Sequence, residues 1–148
     1  MKPALFLFSL VVAVCLALTG CNYDSTLTAK PTQKINEKLL GEWVSLDKDT
    51  GKEERMLVRQ LDDSNYVVGM DNDIYRVFHS DFAGIAFVSV QDLQVGREDR
   101  KYAYFTWQLS ADGSLLTLRG VSTQVVPETT KGRTALQKLI KGRHRATL

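Results

Sequence analysis

Turn-forming residues punctuate the middle of this chain at short intervals: Asp49-Thr50-Gly51, Asp62-Asp63-Ser64-Asn65, Asp71-Asn72-Asp73, Ser80-Asp81-Phe82-Ala83-Gly84, Val95-Gly96-Arg97 and Ala111-Asp112-Gly113. Gly, Asn and Asp accept the backbone geometries of tight turns, so each cluster ends one extended run and starts the next. The runs between them are rich in β-branched and aromatic residues and predict strands over 42–46, 54–61, 66–70, 74–79, 85–91, 102–109 and 115–122. The intervals are too short for the crossover helices that parallel strands require. An antiparallel meander is therefore expected.

Alternation of side chains sets which face of each strand is buried. It is clearest over 102–109, where Ala103, Phe105, Trp107 and Leu109 fall on one face and Tyr102, Tyr104, Thr106 and Gln108 on the other. The first set is expected to face the core. Asp112-Gly113 then turns the chain into a partner strand carrying Leu116 and Leu118. A sheet of such strands with one apolar face must curl or find a second layer, because free edges and apolar faces invite aggregation. The expected fold is mainly β: a small antiparallel meander barrel or half-barrel. Ile35, Leu39 and Leu40 predict a single helical turn before it, and Leu136, Leu139 and Ile140 predict a short C-terminal helix over 133–141.

The start of the chain has a different character. Lys2 is followed by a run from Ala4 to Leu18 broken only by Ser9, the pattern of an export signal. A bilayer core needs about 20 apolar residues at 1.5 Å each, so this run is too short to span comfortably. Its end, Leu18-Thr19-Gly20-Cys21, resembles the lipobox of bacterial lipoproteins. The resemblance implies cleavage after Gly20, diacylglyceryl and further acyl (palmitate-type) modification at Cys21, and a mature protein beginning at that residue. Two or more acyl chains hold a protein stably on a bilayer where one does not. The family's sorting rule, in which Asp after the cysteine favours the inner membrane, implies the outer membrane here, where Asn22 follows. The implied division is a signal peptide over 1–20, a lipidated cysteine and flexible polar tether over 21–34, and one domain over 35–148.

Cysteine chemistry is then accounted for. Cys15 leaves with the signal and Cys21 becomes a thioether, so the domain has no thiol for disulfides, redox chemistry or Cys-ligated zinc. Stability must come from packing.

Leu40-Gly41-Glu42-Trp43 is similar to the Gly-x-Trp signature that opens the first strand of lipocalins and fatty-acid-binding proteins. In that superfamily a basic residue of the last strand packs across the tryptophan, and Arg119 is the matching residue. The resemblance implies a lipocalin-like small barrel. Small barrels sometimes enclose an apolar ligand, and Trp43, Phe105 and Trp107 are the candidate cavity residues; more often such aromatics simply fill a core.

No catalytic constellation is assembled by the remaining motifs. Asp49-Thr50-Gly51 lacks the apolar flanks of an aspartic-protease triplet and reads as a hairpin turn. Asp71-Asn72-Asp73 lacks the glycine and terminal glutamate of a calcium loop. His79 and His144 are the only histidines, with neither zinc-ligand spacing nor a Gly-x-Ser-x-Gly elbow. A non-enzymatic protein with no cofactor or metal is expected.

Charge is unevenly distributed. Residues 131–148 carry six basic side chains and no acid, while 22–130 carry twelve basic and seventeen acidic ones. The basic end can lie against the acidic body or touch anionic headgroups. The expected partners are the membrane through the acyl chains, a lipid-like ligand, or another envelope protein met through the sheet surface and basic tail. Nucleic acid does not fit an exported lipoprotein.

Overall fold

The structure, a computed structural model, describes residues 22–146. The export segment and Cys21 lie outside the described residues. Seven strands form one sheet in chain order: β1 (Gly41–Leu46), β2 (Glu53–Gln60), β3 (Asn65–Met70), β4 (Asp73–His79), β5 (Phe87–Asp92), β6 (Tyr102–Leu109) and β7 (Leu116–Gly120). Every neighbouring pair is antiparallel. A 3₁₀ turn (Glu37–Leu39) precedes β1 and helix α1 (Arg133–Ala146) follows β7. The protein is mainly β, as the turn punctuation predicts.

The sheet curls into a half-barrel. Trp43 of β1 and Leu118 of β7 pack against the same cluster as Val68 and Val88 from the middle strands, although no ladder joins β1 to β7 among the described residues. Alternation places the inner residues: Met56 and Val58 on β2, Tyr66, Val68 and Met70 on β3, and Ala103 and Phe105 on β6. Trp107 and Leu109 pack on the same cluster, so the face assigned to the core from the β6 pattern does face it, while Tyr104 on the opposite face is buried as well.

Turns hold the register. Asp62 accepts backbone N–H groups from Ser64 at 2.8 Å and Asn65 at 2.9 Å in the β2–β3 turn. Asp47 does the same for Asp49 and Thr50 between β1 and β2, and Asp112 for Ser114 between β6 and β7. These are Asx turns, in which a carboxylate substitutes for a backbone acceptor. Asp71 takes a φ of 50° in the two-residue β3–β4 turn, a conformation Asp tolerates better than most residues. Aspartate-rich runs are thus turn chemistry.

Strand and helix ends shift modestly from expectation. β5 begins at Phe87 rather than 85, because Ile85 closes a tight turn with Phe82 through paired backbone bonds of 3.0 Å. β7 ends at Gly120, and α1 runs five residues past 141 to Ala146. Leu136 and Ile140 are buried as expected, but Leu139 is 37% exposed, so the apolar stripe of α1 is narrower than its sequence implies.

The segment after residue 21 is the main correction. Instead of a flexible tether, 22–34 forms a strap across the outer face of the sheet. Tyr23 exchanges backbone bonds with Tyr102 of 3.1 and 2.8 Å, and its ring lies 5.2 Å from that of Tyr104. Leu27 is 0% exposed and joins Phe87, Tyr104, Val126, Leu136 and Ile140 in a second apolar cluster. Thr32 then donates to the His79 carbonyl and Ile35 to that of Asp63. Two apolar side chains four residues apart anchor an otherwise polar stretch, and α1 closes over them.

If the strap is structural, Leu27→Ala lowers unfolding stability by about 2–5 kcal/mol, the usual cost of emptying a buried leucine site. Chemical denaturation would show this as a reduced midpoint. The same change at Leu61, 53% exposed, should be nearly neutral.

Candidate functional site

Two regions hold the residues expected to act: the half-barrel interior and the outer face of the sheet. The interior contains a cavity of about 80 Å³ bounded by aliphatic and aromatic side chains from β2 to β7 together with Leu39. Phe105 and Trp107 line it. Trp43 does not; it packs on the core beside Leu39 and donates its indole N–H to the Leu39 carbonyl at 2.9 Å. The structure thus brings together two of the three expected cavity aromatics and ties the third to the 3₁₀ turn.

Gly41 has a φ of 129°, which side-chain-bearing residues rarely adopt, and a Cβ there would meet nothing within 4 Å. Its requirement is therefore conformational. Strain of this kind costs about 1–3 kcal/mol. Arg119 is exposed on β7 opposite Thr106, where it borders a polar hollow with Trp107, Gln108 and Thr117.

A histidine whose sequence surroundings offer neither zinc-ligand nor triad spacing sits against Tyr66 and Trp107. His79 is wholly buried. Its Nε2 lies 2.8 Å from the Tyr66 hydroxyl, which also accepts the Asn36 amide. The hydroxyl has one proton and a second lone pair besides the one that takes the Asn36 amide, so it bonds Nε2 in either neutral tautomer. Nδ1 has no partner among the described residues, nor has Trp107 Nε1, although the two rings are 5.1 Å apart. Burial pushes the His79 pKa below its ordinary value, and Asp81 opposes that shift. On β5, Ser89 donates to Ser80 at 2.9 Å in a second buried polar contact.

Both hydroxyls of the serine pair are fully buried, and Nε2 of His79 meets the Tyr66 hydroxyl. Among the described residues, no three His, Cys, Asp or Glu side chains converge as a metal site.

The outer face is covered unevenly. Strap and α1 bury it over β5 and β6, but Val44, Leu46, Leu57 and Ile74 remain exposed on β1, β2 and β4. Register aligns Glu42, Leu57, Gly69 and Ile74 in one row across four strands. Gly69 leaves open space at its Cβ position, so the row has a notch between two apolar side chains that are 41% and 47% exposed. The surrounding surface is charged, with Arg55 bonded to Glu42 at 2.6 Å and also to Glu53.

The basic end meets an acid of the strap where Lys131 lies 3.6 Å from Asp24. Arg133 donates to the Thr26 carbonyl and hydroxyl. Both contacts are to the strap. Comparison with family models, with curated protein sequences and with solved structures finds no match.

His79 gives stability a definite pH dependence. An imidazole whose folded pKa lies below its ordinary 6.5 binds fewer protons folded than unfolded, so stability falls as pH drops through 6.5. Denaturation midpoints should decline between about pH 7 and about pH 5, above the range in which most carboxylates titrate. His79→Gln should be less stable at neutrality but flatter across that window.

Proposed function

We infer that the chain is a lipid-anchored, non-enzymatic bacterial envelope lipoprotein that acts by binding another envelope protein through the uncovered outer face of its half-barrel. The observation that carries the binding role is the row Leu57, Gly69, Ile74. A glycine in the interior of a strand weakens it and commonly marks the close approach of a ligand or another backbone. Here the register runs through Gly69 without a bulge, so the glycine is not needed to bend the strand. Its effect is a slot flanked by exposed apolar side chains, the form of a small hot spot within a charged rim.

Anchoring is supported by Leu18-Thr19-Gly20-Cys21 and by the thiol-free domain that follows. Asn22 after the cysteine favours the outer membrane, with the domain facing the periplasm. The second reading, an apolar or amphipathic ligand held inside, is favoured by the all-apolar cavity wall and the unpartnered Trp107 indole N–H. Its volume weighs against it, since sites for small molecules enclose about 300–1,000 Å³ and this cavity about 80 Å³.

A photo-crosslinking residue at Ile74, introduced in cells fed labelled palmitate, tests both parts. The expected result is a palmitate-labelled chain with one discrete protein adduct. Gly69→Val should remove the adduct while leaving thermal stability unchanged or raised, because the site is sterically open. Cys21→Ser should abolish the label. An adduct that survives Gly69→Val would contradict the interface, and label on the Cys21→Ser chain would contradict the anchor.

A further inference from the structure

We propose that α1 and the loop over 121–132 form a surface that rests on an anionic lipid bilayer and fixes the orientation of the domain on the membrane. The inference rests on anchoring at Cys21, and its core is that the strap leaves no slack between anchor and domain. Asn22 donates to Glu128 at 2.7 Å, the Tyr23 hydroxyl donates to the Val126 carbonyl, and Asp24 accepts from the Gly132 amide at 3.5 Å. The described chain therefore begins on this loop. Consecutive Cα atoms are about 3.8 Å apart, so acyl chains on Cys21 enter the bilayer beside it.

The surface next to that point suits headgroups. A shallow groove of about 800 Å³ separates the loop from α1, with Val125, Pro127 and Leu139 contributing apolar surface and Lys131, Lys138 and Arg143 contributing charge. Lys141 is exposed on the following turn. The acids of the strap and loop are occupied, Asp24 by Lys131 and Glu128 by Asn22. Lys138 and Lys141 make no ion pair among the described residues. A helix that buries Leu136 and Ile140 inward and shows lysines around one exposed leucine outward has the pattern of an interfacial helix. Each lysine near an anionic surface strengthens attachment about fivefold.

The mature chain has no free thiol, so an introduced cysteine is labelled uniquely. L139C places a nitroxide in the groove. A111C places one in the β6–β7 turn, at the far end of a strand of eight residues, roughly 23 Å from the Tyr102 end. The acylated full chain is reconstituted into vesicles of phosphatidylethanolamine with phosphatidylglycerol, and collision with a water-soluble nickel chelate is measured. The expected result is strong protection at 139, little at 111, and loss of protection at 139 in neutral phosphatidylcholine vesicles or on adding K138E and K141E, which together cut the docked fraction at least tenfold. A chain that floats with vesicles but is equally accessible at both positions overturns the inference and leaves the anchor standing. Equal protection at 139 on neutral and anionic vesicles overturns the anionic surface as its partner. A chain that does not float overturns anchor and inference together.

Discussion

Tyr104 projects from the outer face of β6, yet it is 2% exposed, because Tyr23 lies against its ring and Leu27, Leu136 and Ile140 complete the cover. The rest of the structure depends on this outer cluster. β5 is buried on both faces along nearly its whole length, and a strand of that kind cannot stand at the surface of a single curled sheet. Without the strap and α1, Phe87 and Tyr104 would face water on a sheet whose first and last strands are already unpaired with each other. Burial pushes the Tyr104 phenol up beyond its ordinary value, consistent with a hydroxyl taken out of solvent and bonded to the Ser25 carbonyl.

The covering is one-sided, and that asymmetry gives the two halves of the sheet different outer surfaces. Strap, loop and α1 occupy the outer face of β5 and β6 and bring the start of the domain to the basic helix. Among the described residues the outer face of β1 to β4 has no such layer, and it carries the Leu57, Gly69, Ile74 row. Inside, the small cavity and the packing of Leu39, Trp43 and Tyr66 make the half-barrel chiefly a packed core, with burial lowering the His79 pKa. The proposed membrane contact and the proposed partner site thereby fall on different surfaces, so each can be altered without disturbing the other.

Local chemistry made most of the sheet legible in the sequence. Strand order, the hairpins, the inward face of β6 and the 3₁₀ turn follow from two-residue alternation and from aspartates placed to cap turns. The strap was not legible, because Tyr23 and Leu27 are isolated in a polar stretch and the face that receives them lies more than sixty residues away. Leu139 misleads for a related reason: helical periodicity marks it as inward, but the strap fills only the width that Leu136 and Ile140 cover. His79 has no local signal, since its burial is set by the Tyr66 hydroxyl and Trp107 ring. The Gly41 and Trp43 positions were found by motif, and the positive φ of Gly41 supplies a physical reason for the first.

The most direct measurement is native-state hydrogen exchange at the amides of Tyr23 and Tyr102, which bond to each other's carbonyls. A strap that belongs to the fold predicts protection at both amides comparable to that of Val88 and Val90 in β5, lost only on global unfolding. Exchange of Tyr23 at the rate of an unstructured peptide, with β5 still protected, would contradict the account and return residues 22–34 to a tether.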